Sequence, residues 1–179
     1  MKKIRKIPGG FTLIELIVSM VLLAALMTAV AVAFNASIKN YHDNLALSKN
    51  INTARAALMR ITNDIRTAYG IASADDEDDP STQCGIDVNG DAARMVDIRY
   101  RFEAGVPTGK LFLDQRDFSS GTWKSYVLCE NVTSMTFNRA EVPGSPGMIR
   151  NVRITMTVTD DKGQLPTKLA TAAVIRRNL

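Results

Sequence analysis

The sequence predicts an α+β chain in which a long N-terminal α-helix packs on an antiparallel β-sheet. Three observations lead there. Residues 11–34 are almost free of charge, no Gly or Pro interrupts the chain between Gly10 and Gly70, and β-rich segments then follow one another from residue 94 onward with no helical pattern between them. Strands grouped after a helix, not alternating with helices, favour an antiparallel sheet with the helix on one face. At 179 residues the chain is long enough for one domain with a real core and short for two.

The helix has two halves. Phe11–Phe34 reads FTLIELIVSMVLLAALMTAVAVAF, with Glu15 as its one ionisable side chain. As a helix it spans about 36 Å, enough to cross a bilayer. Lys2, Lys3, Arg5 and Lys6 precede it. That charge bias keeps the N-terminus cytoplasmic and sends the rest across. The expected topology is a single-pass anchor in the inner (cytoplasmic) membrane with an extracytoplasmic, periplasmic body. With no breaker before Gly70, the helix is free to run on to about 90 Å. Over residues 35–70 the composition turns polar, yet Ile51, Ala54, Leu58, Ile61, Ile65 and Ala68 recur at spacings of three and four. They form one apolar stripe that the downstream chain is expected to cover. Asn50, Asn52, Arg55, Arg60, Asn63, Asp64 and Arg66 are expected to face water or neighbours, as are Tyr41 and His42.

Gly70 is expected to end the helix, and residues 71–179 to form the β-rich domain. SADDEDDPSTQ reads as an exposed acidic loop. Its acids Asp75 to Asp79, and the calcium-loop fragment Asp87, Asn89, Asp91, are the only metal candidates. The fragment lacks the Gly position and terminal Glu of a calcium loop, so a solvated loop is preferred and no cofactor is assigned. In RMVDIRYRFEA, Val96, Ile98, Tyr100 and Phe102 alternate with Met95, Asp97, Arg99 and Arg101, the pattern of a half-buried strand. Further strands are expected at KLFLDQ, TWKSYVLCE, NVTSMTF, NVRITMTVTD and LATAAVIRR.

Charge and chemistry exclude several functions. The net charge of +4 comes from the first ten residues, which hold four of the 22 bases and no acid; removing them leaves 18 bases against 18 acids. No nucleic-acid partner is expected of a body so balanced. With one His in the chain, and none beside Cys84 or Cys129, a nucleophile would lack a base, and no phosphate loop is present. The chain is not expected to be an enzyme. The two cysteines lack CxxC or His-cluster spacing. In an oxidising compartment a Cys84–Cys129 disulfide is expected, closing a loop worth about 4 kcal/mol in the chain-entropy model; the alternative is two buried thiols that never meet. Asn131-Val132-Thr133 matches a glycosylation acceptor by coincidence.

Gly9-Gly10 stands before the apolar core, where an ordinary secretory signal places its cleavage site after the core. A cut there keeps the anchor, and the new amine is a partner for Glu15, five positions into the mature chain. A lone carboxylate in hydrocarbon needs such a partner.

The segment KIPGGFTLIEL resembles the cleavage and methylation signature of type IV prepilins and type II secretion pseudopilins. The resemblance implies a pilin-like fold and removal of residues 1–10 by a prepilin peptidase that cuts between Gly10 and Phe11. It further implies N-methylation of Phe11, and pairing of Glu15 with the N-terminal amine of a neighbouring subunit. ENVTSMTF, VRITMTVTD and AAVIRRN are similar to the C-terminal half of J-type minor pseudopilins and W-type minor pilins. Subunits of the K type at the tip typically lack the Glu, so its presence here implies a place below another subunit. The expected function is a minor subunit in initiation and assembly of a pseudopilus or pilus, with other pilin-like subunits as partners. A filament-displayed module contacting DNA, a surface or a secreted substrate is the alternative. Arg99 and Arg101 beside Tyr100 and Phe102 hint at it, although strand alternation places the arginines and the aromatics on opposite faces.

Overall fold

The computed structural model describes residues 12–72, 81–90, 96–117, 119–160 and 162–176. It divides into two compact units, Met1–Asp43 and Asn44–Leu179. A single helix, α1 (Leu13–Thr67, 55 residues), contributes to both.

In the first unit every described residue before Asp43 is exposed. The exposed side chains include Leu13, Ile14, Leu22, Leu26 and Phe34. A helix this apolar, with nothing packed on it, is long enough to cross a membrane. Its hydroxyls fit that medium. Ser19 Oγ donates to the Leu16 carbonyl at 2.8 Å and Thr28 Oγ1 to the Ala24 carbonyl at 2.8 Å, so neither is left without a partner in lipid.

In the second unit the apolar stripe is covered. Ala54, Leu58, Ile61, Ile65 and Ala68 are buried and Ile51 is half-buried. Ala57 and Thr62, outside the predicted stripe, widen it. The polar residues divide: Asn52, Arg55, Arg60, Asn63 and Arg66 are exposed as expected, whereas Asn50 and Asp64 are half-buried and make contacts. Asn50 Nδ2 donates to the Thr159 carbonyl at 3.0 Å.

Seven strands follow: β1 (Gly70–Ile71), β2 (Gln83–Asp87), β3 (Ile98–Glu103), β4 (Gly109–Arg116), β5 (Trp123–Val142), β6 (Ser145–Val158) and β7 (Thr167–Val174). They form one sheet in sequence order, every neighbouring pair antiparallel. The α+β expectation therefore holds, with three corrections. First, α1 ends at Thr67, and Gly70 opens β1 instead of terminating the helix. Second, β1 and β2 were not predicted. QCGID is buried at all five positions, so it lacks alternation, and it carries a glycine. Third, TWKSYVLCE and NVTSMTF are one strand of 20 residues. Asn131 takes φ 59°, a left-handed conformation that asparagine tolerates. β5 pairs with β4 from Trp123 to Val132 and with β6 from Val132 to Val142, so that it shares Val132 between both pairings. Its second half also meets the chain entering β2, where Phe137 N donates to the Ser81 carbonyl at 2.8 Å.

Helix and sheet share one core, in which Ile61 and Ile65 join Tyr100, Leu111, Phe137 and Met156. Each such side chain contributes roughly 1.5–3 kcal/mol by leaving water. A buried polar contact also crosses the interface. Tyr100, fully buried on β3, donates its phenol O–H to Asp64 Oδ2 of α1 at 2.5 Å. Burial first, then the adjacent Asp64 carboxylate, pushes the phenol pKa far above its ordinary 10.0. A raised pKa of this kind contributes stability that is complete below pH 10 and is lost as pH rises above it, where the unfolded tyrosine ionises and the folded one does not. Tyr100→Phe should therefore destabilise the protein by roughly 1–3 kcal/mol in denaturant titrations at neutral pH. The gap from the wild type should narrow above about pH 10. A gap independent of pH would show that the hydrogen bond is not the source of the loss.

Candidate functional site

At the head of α1 the residues Thr12 and Glu15 form a reciprocal cap. Thr12 N and Thr12 Oγ1 both donate to Glu15 Oε2 at 3.0 Å, and Glu15 N donates to Thr12 Oγ1 at 3.3 Å. This is a capping box, which satisfies amide groups that a helix start leaves without intrahelical partners. The signal was present as T-x-x-E directly before the apolar run, and Thr12 is a functional position that the cleavage-site reading passed over. The arrangement has a chemical consequence. Oε2 is occupied within the chain, whereas Oε1 has no partner among the described residues and Glu15 is exposed. Ile14, Val18, Ser19 and Leu22 border the same carboxylate. A single acceptor oxygen in an apolar setting is suited to a cation brought by another molecule. Gly10 and Phe11, the expected cleavage and methylation positions, lie outside the described residues.

The cysteines are brought into the same core but not together. Cys84 on β2 and Cys129 on β5 are buried and are not joined in the expected disulfide. Cys84 lies opposite Tyr100, Tyr100 opposite Leu113, and Leu113 opposite Tyr126, so β3 and β4 stand between the two thiols. Burial, and then the Glu130 carboxylate, push the Cys129 thiol up to about 11. A thiol held protonated in this way is a poor nucleophile.

Of the calcium-loop fragment, Asp87 and Asn89 are among the described residues. Asp87 ends β2, and its Oδ1 accepts from Gly90 N at 2.7 Å. Asp97 Oδ2 accepts from Val88 N at 2.8 Å and Asn89 N at 3.1 Å. The two carboxylates thus hold the turn at residues 88–90. Gly90 has φ +66° and leaves no room for a side chain, since a Cβ would lie 2.7 Å from the Tyr69 ring. Among the described residues no three His, Cys, Asp or Glu side chains gather to hold a metal ion. Asp91 and the run Asp75 to Asp79 lie outside the described residues.

The arginines of β3 do meet aromatic rings, but on other strands, β5 for Arg99 and β4 for Arg101. Arg99 lies 4.4 Å over the Trp123 ring and Arg101 lies 4.8 Å over Phe112. The sequence reading weighed the arginines only against Tyr100 and Phe102, which alternation places on the opposite face, and so missed these cross-strand stacks. Arg101 also binds Asp114 at 3.1 Å and Glu103 at 2.8 Å, which neutralise it. The one histidine, His42, is exposed on α1 and meets Tyr41 edge to face.

Comparison with known proteins adds one finding, at the segment that holds the capping box. Residues 5–31 match the model of the prokaryotic N-terminal methylation motif. The match supports a type IV pilin- or pseudopilin-like precursor, and such a motif implies processing by a peptidase and assembly with other pilins. No curated protein and no solved structure matches the chain.

The thiol geometry gives a direct test. The folded protein should show almost no reaction with a thiol reagent at pH 8, and two reactive thiols after unfolding without reductant. An unreduced mass 2 Da below that of the dithiol, the loss of two hydrogens on oxidation, would contradict the separation of β2 from β5.

Proposed function

We propose that the chain is a minor subunit of a type II secretion pseudopilus or a type IV pilus. A prepilin peptidase releases it between Gly10 and Phe11 and methylates Phe11, and it takes part in filament initiation and assembly. The observation that carries this is the Thr12–Glu15 box at the head of an uncovered apolar helix, within the segment that matches the methylation motif. The cap holds the carboxylate at the helix start with Oε1 open, where the cationic amine of a neighbouring subunit can neutralise it. A charge pair formed away from water holds only if both partners are present and well aligned. The covered half of α1 supports a body carried on the anchor.

The test is Glu15→Gln in the native host. Cleavage and membrane fractionation should be unchanged. Co-purification with other pilin-type subunits should fall by about tenfold or more, since removing one partner of a buried ion pair is strongly destabilising. Undiminished co-purification would sink the assembly role given to Glu15.

The second reading, a module displayed for binding, draws on Arg99 stacked over Trp123. Neutralisation of Arg101 weakens it as a nucleic-acid platform. The full chain in detergent should show no salt-dependent shift of single-stranded DNA; a clear shift would favour display over a purely structural role.

A further inference from the structure

The second unit distributes the charges of α1 unevenly. Between Asn44 and Thr67 the helix carries Lys49, Arg55, Arg60 and Arg66, and Asp64 as the only acid. Asp64 is half-buried and accepts the Tyr100 phenol, with Arg60 at 4.0 Å. The four cations are exposed, and Lys49, Arg55 and Arg66 have no acidic partner among the described residues. Arg55 and Arg66 lie on the face turned away from the sheet, while Lys49 stands at its edge, bordering the cleft shared with Val127, Glu130 and Asn131 of β5, and Arg60 stands beside Asp64.

The spacing of these cations is regular. Lys49 and Arg60 are eleven residues apart, and so are Arg55 and Arg66. Eleven residues make three helical turns and about 16 Å, so each pair stays in one row along the helix. At 100° per residue the two rows flank a central strip of Asn52, Ala56, Met59 and Asn63, all exposed; Met59 is 73% exposed. Rails of charge on either side of a low-charge strip are the pattern by which one helix selects another of opposite charge.

We infer that this face of α1 docks an acidic α-helix of a neighbouring subunit, with carboxylates in two rows meeting Lys49 and Arg60 on one side and Arg55 and Arg66 on the other. The inference rests on the filament-subunit reading above. A protein partner fits better than nucleic acid for two reasons. Four cations fall short of the six to ten phosphate contacts of a typical DNA-binding surface, and the face from Asn44 to Thr67 has no aromatic side chain on which a base can stack. Arginine and methionine are, in contrast, enriched where proteins meet.

The test places a photo-crosslinking amino acid at Met59 of the full chain, expressed in its native host. The expected result is an adduct with another pilin-type subunit, mapped by mass spectrometry to an acidic helical segment. The double variant Arg55→Glu, Arg66→Glu should lower the adduct yield about tenfold or more, because like charges then oppose across the contact. Reversing the mapped acids to Lys should restore it. These positions are exposed, and unchanged cleavage and thermal unfolding would verify that the variant folds. An adduct insensitive to the reversal, an adduct with nucleic acid, or no adduct in a chain that still co-purifies with pilin-type subunits overturns the docking face and leaves the assembly role standing. A wild-type chain that co-purifies with no such subunit overturns both.

Discussion

The structure of the second unit depends on the burial of one stripe of α1. Ala54, Leu58, Ile61, Ile65 and Ala68 lie on a single helical face, and the sheet supplies the apolar surface that removes them from water. The buried phenol of Tyr100 on Asp64 adds a directional bond to that contact, tying β3 to α1 at one position. Hydrophobic burial alone fixes which faces meet but tolerates sliding, whereas a hydrogen bond made in the core is costly to break. The stripe and the bond together define how the helix and sheet are aligned within this unit.

The same helix meets a different requirement in the first unit. There the apolar side chains have no protein cover, and the hydroxyls of Ser19 and Thr28 bond back to the helix carbonyls. Glu15 is the exception, because its carboxylate is satisfied on one oxygen by Thr12 while the other has no partner among the described residues. A helix start in an apolar medium has amides to satisfy, and a carboxylate three residues in does so while keeping a charge in reserve. The capping role and the assembly role proposed for Glu15 are therefore compatible: one uses Oε2 and the other Oε1.

Much of this was legible in the sequence wherever it depended on period. The three-and-four spacing from Ile51 to Ala68 predicted the buried positions Ala54, Leu58, Ile61, Ile65 and Ala68, though not Ala57 and Thr62, and the absence of Gly and Pro predicted one uninterrupted helix. What depended on sheet order was not legible. Nothing in the spacing of Cys84 and Cys129 says that two strands separate them, and a strand buried on both faces, as β2 is, carries no alternation to detect. The arginine–aromatic stacks of Arg99 and Arg101 are formed across strands and escaped for the same reason. Thr12 was legible in principle, but its T-x-x-E signal overlaps the cleavage signature and was read as part of it.

Strand β5 belongs to two ladders, one with β4 as far as Val132 and one with β6 from Val132 onward. The ladders share that residue, which pairs with Gly109 of β4 and with Val158 of β6. Opening of either side strips pairing from a strand the other needs, so the two ladders share their protection against local unfolding and exchange. Val132, next to the left-handed Asn131, thus acts as a coupling joint: it changes the neighbour of the strand without creating a boundary at which the sheet comes apart in halves.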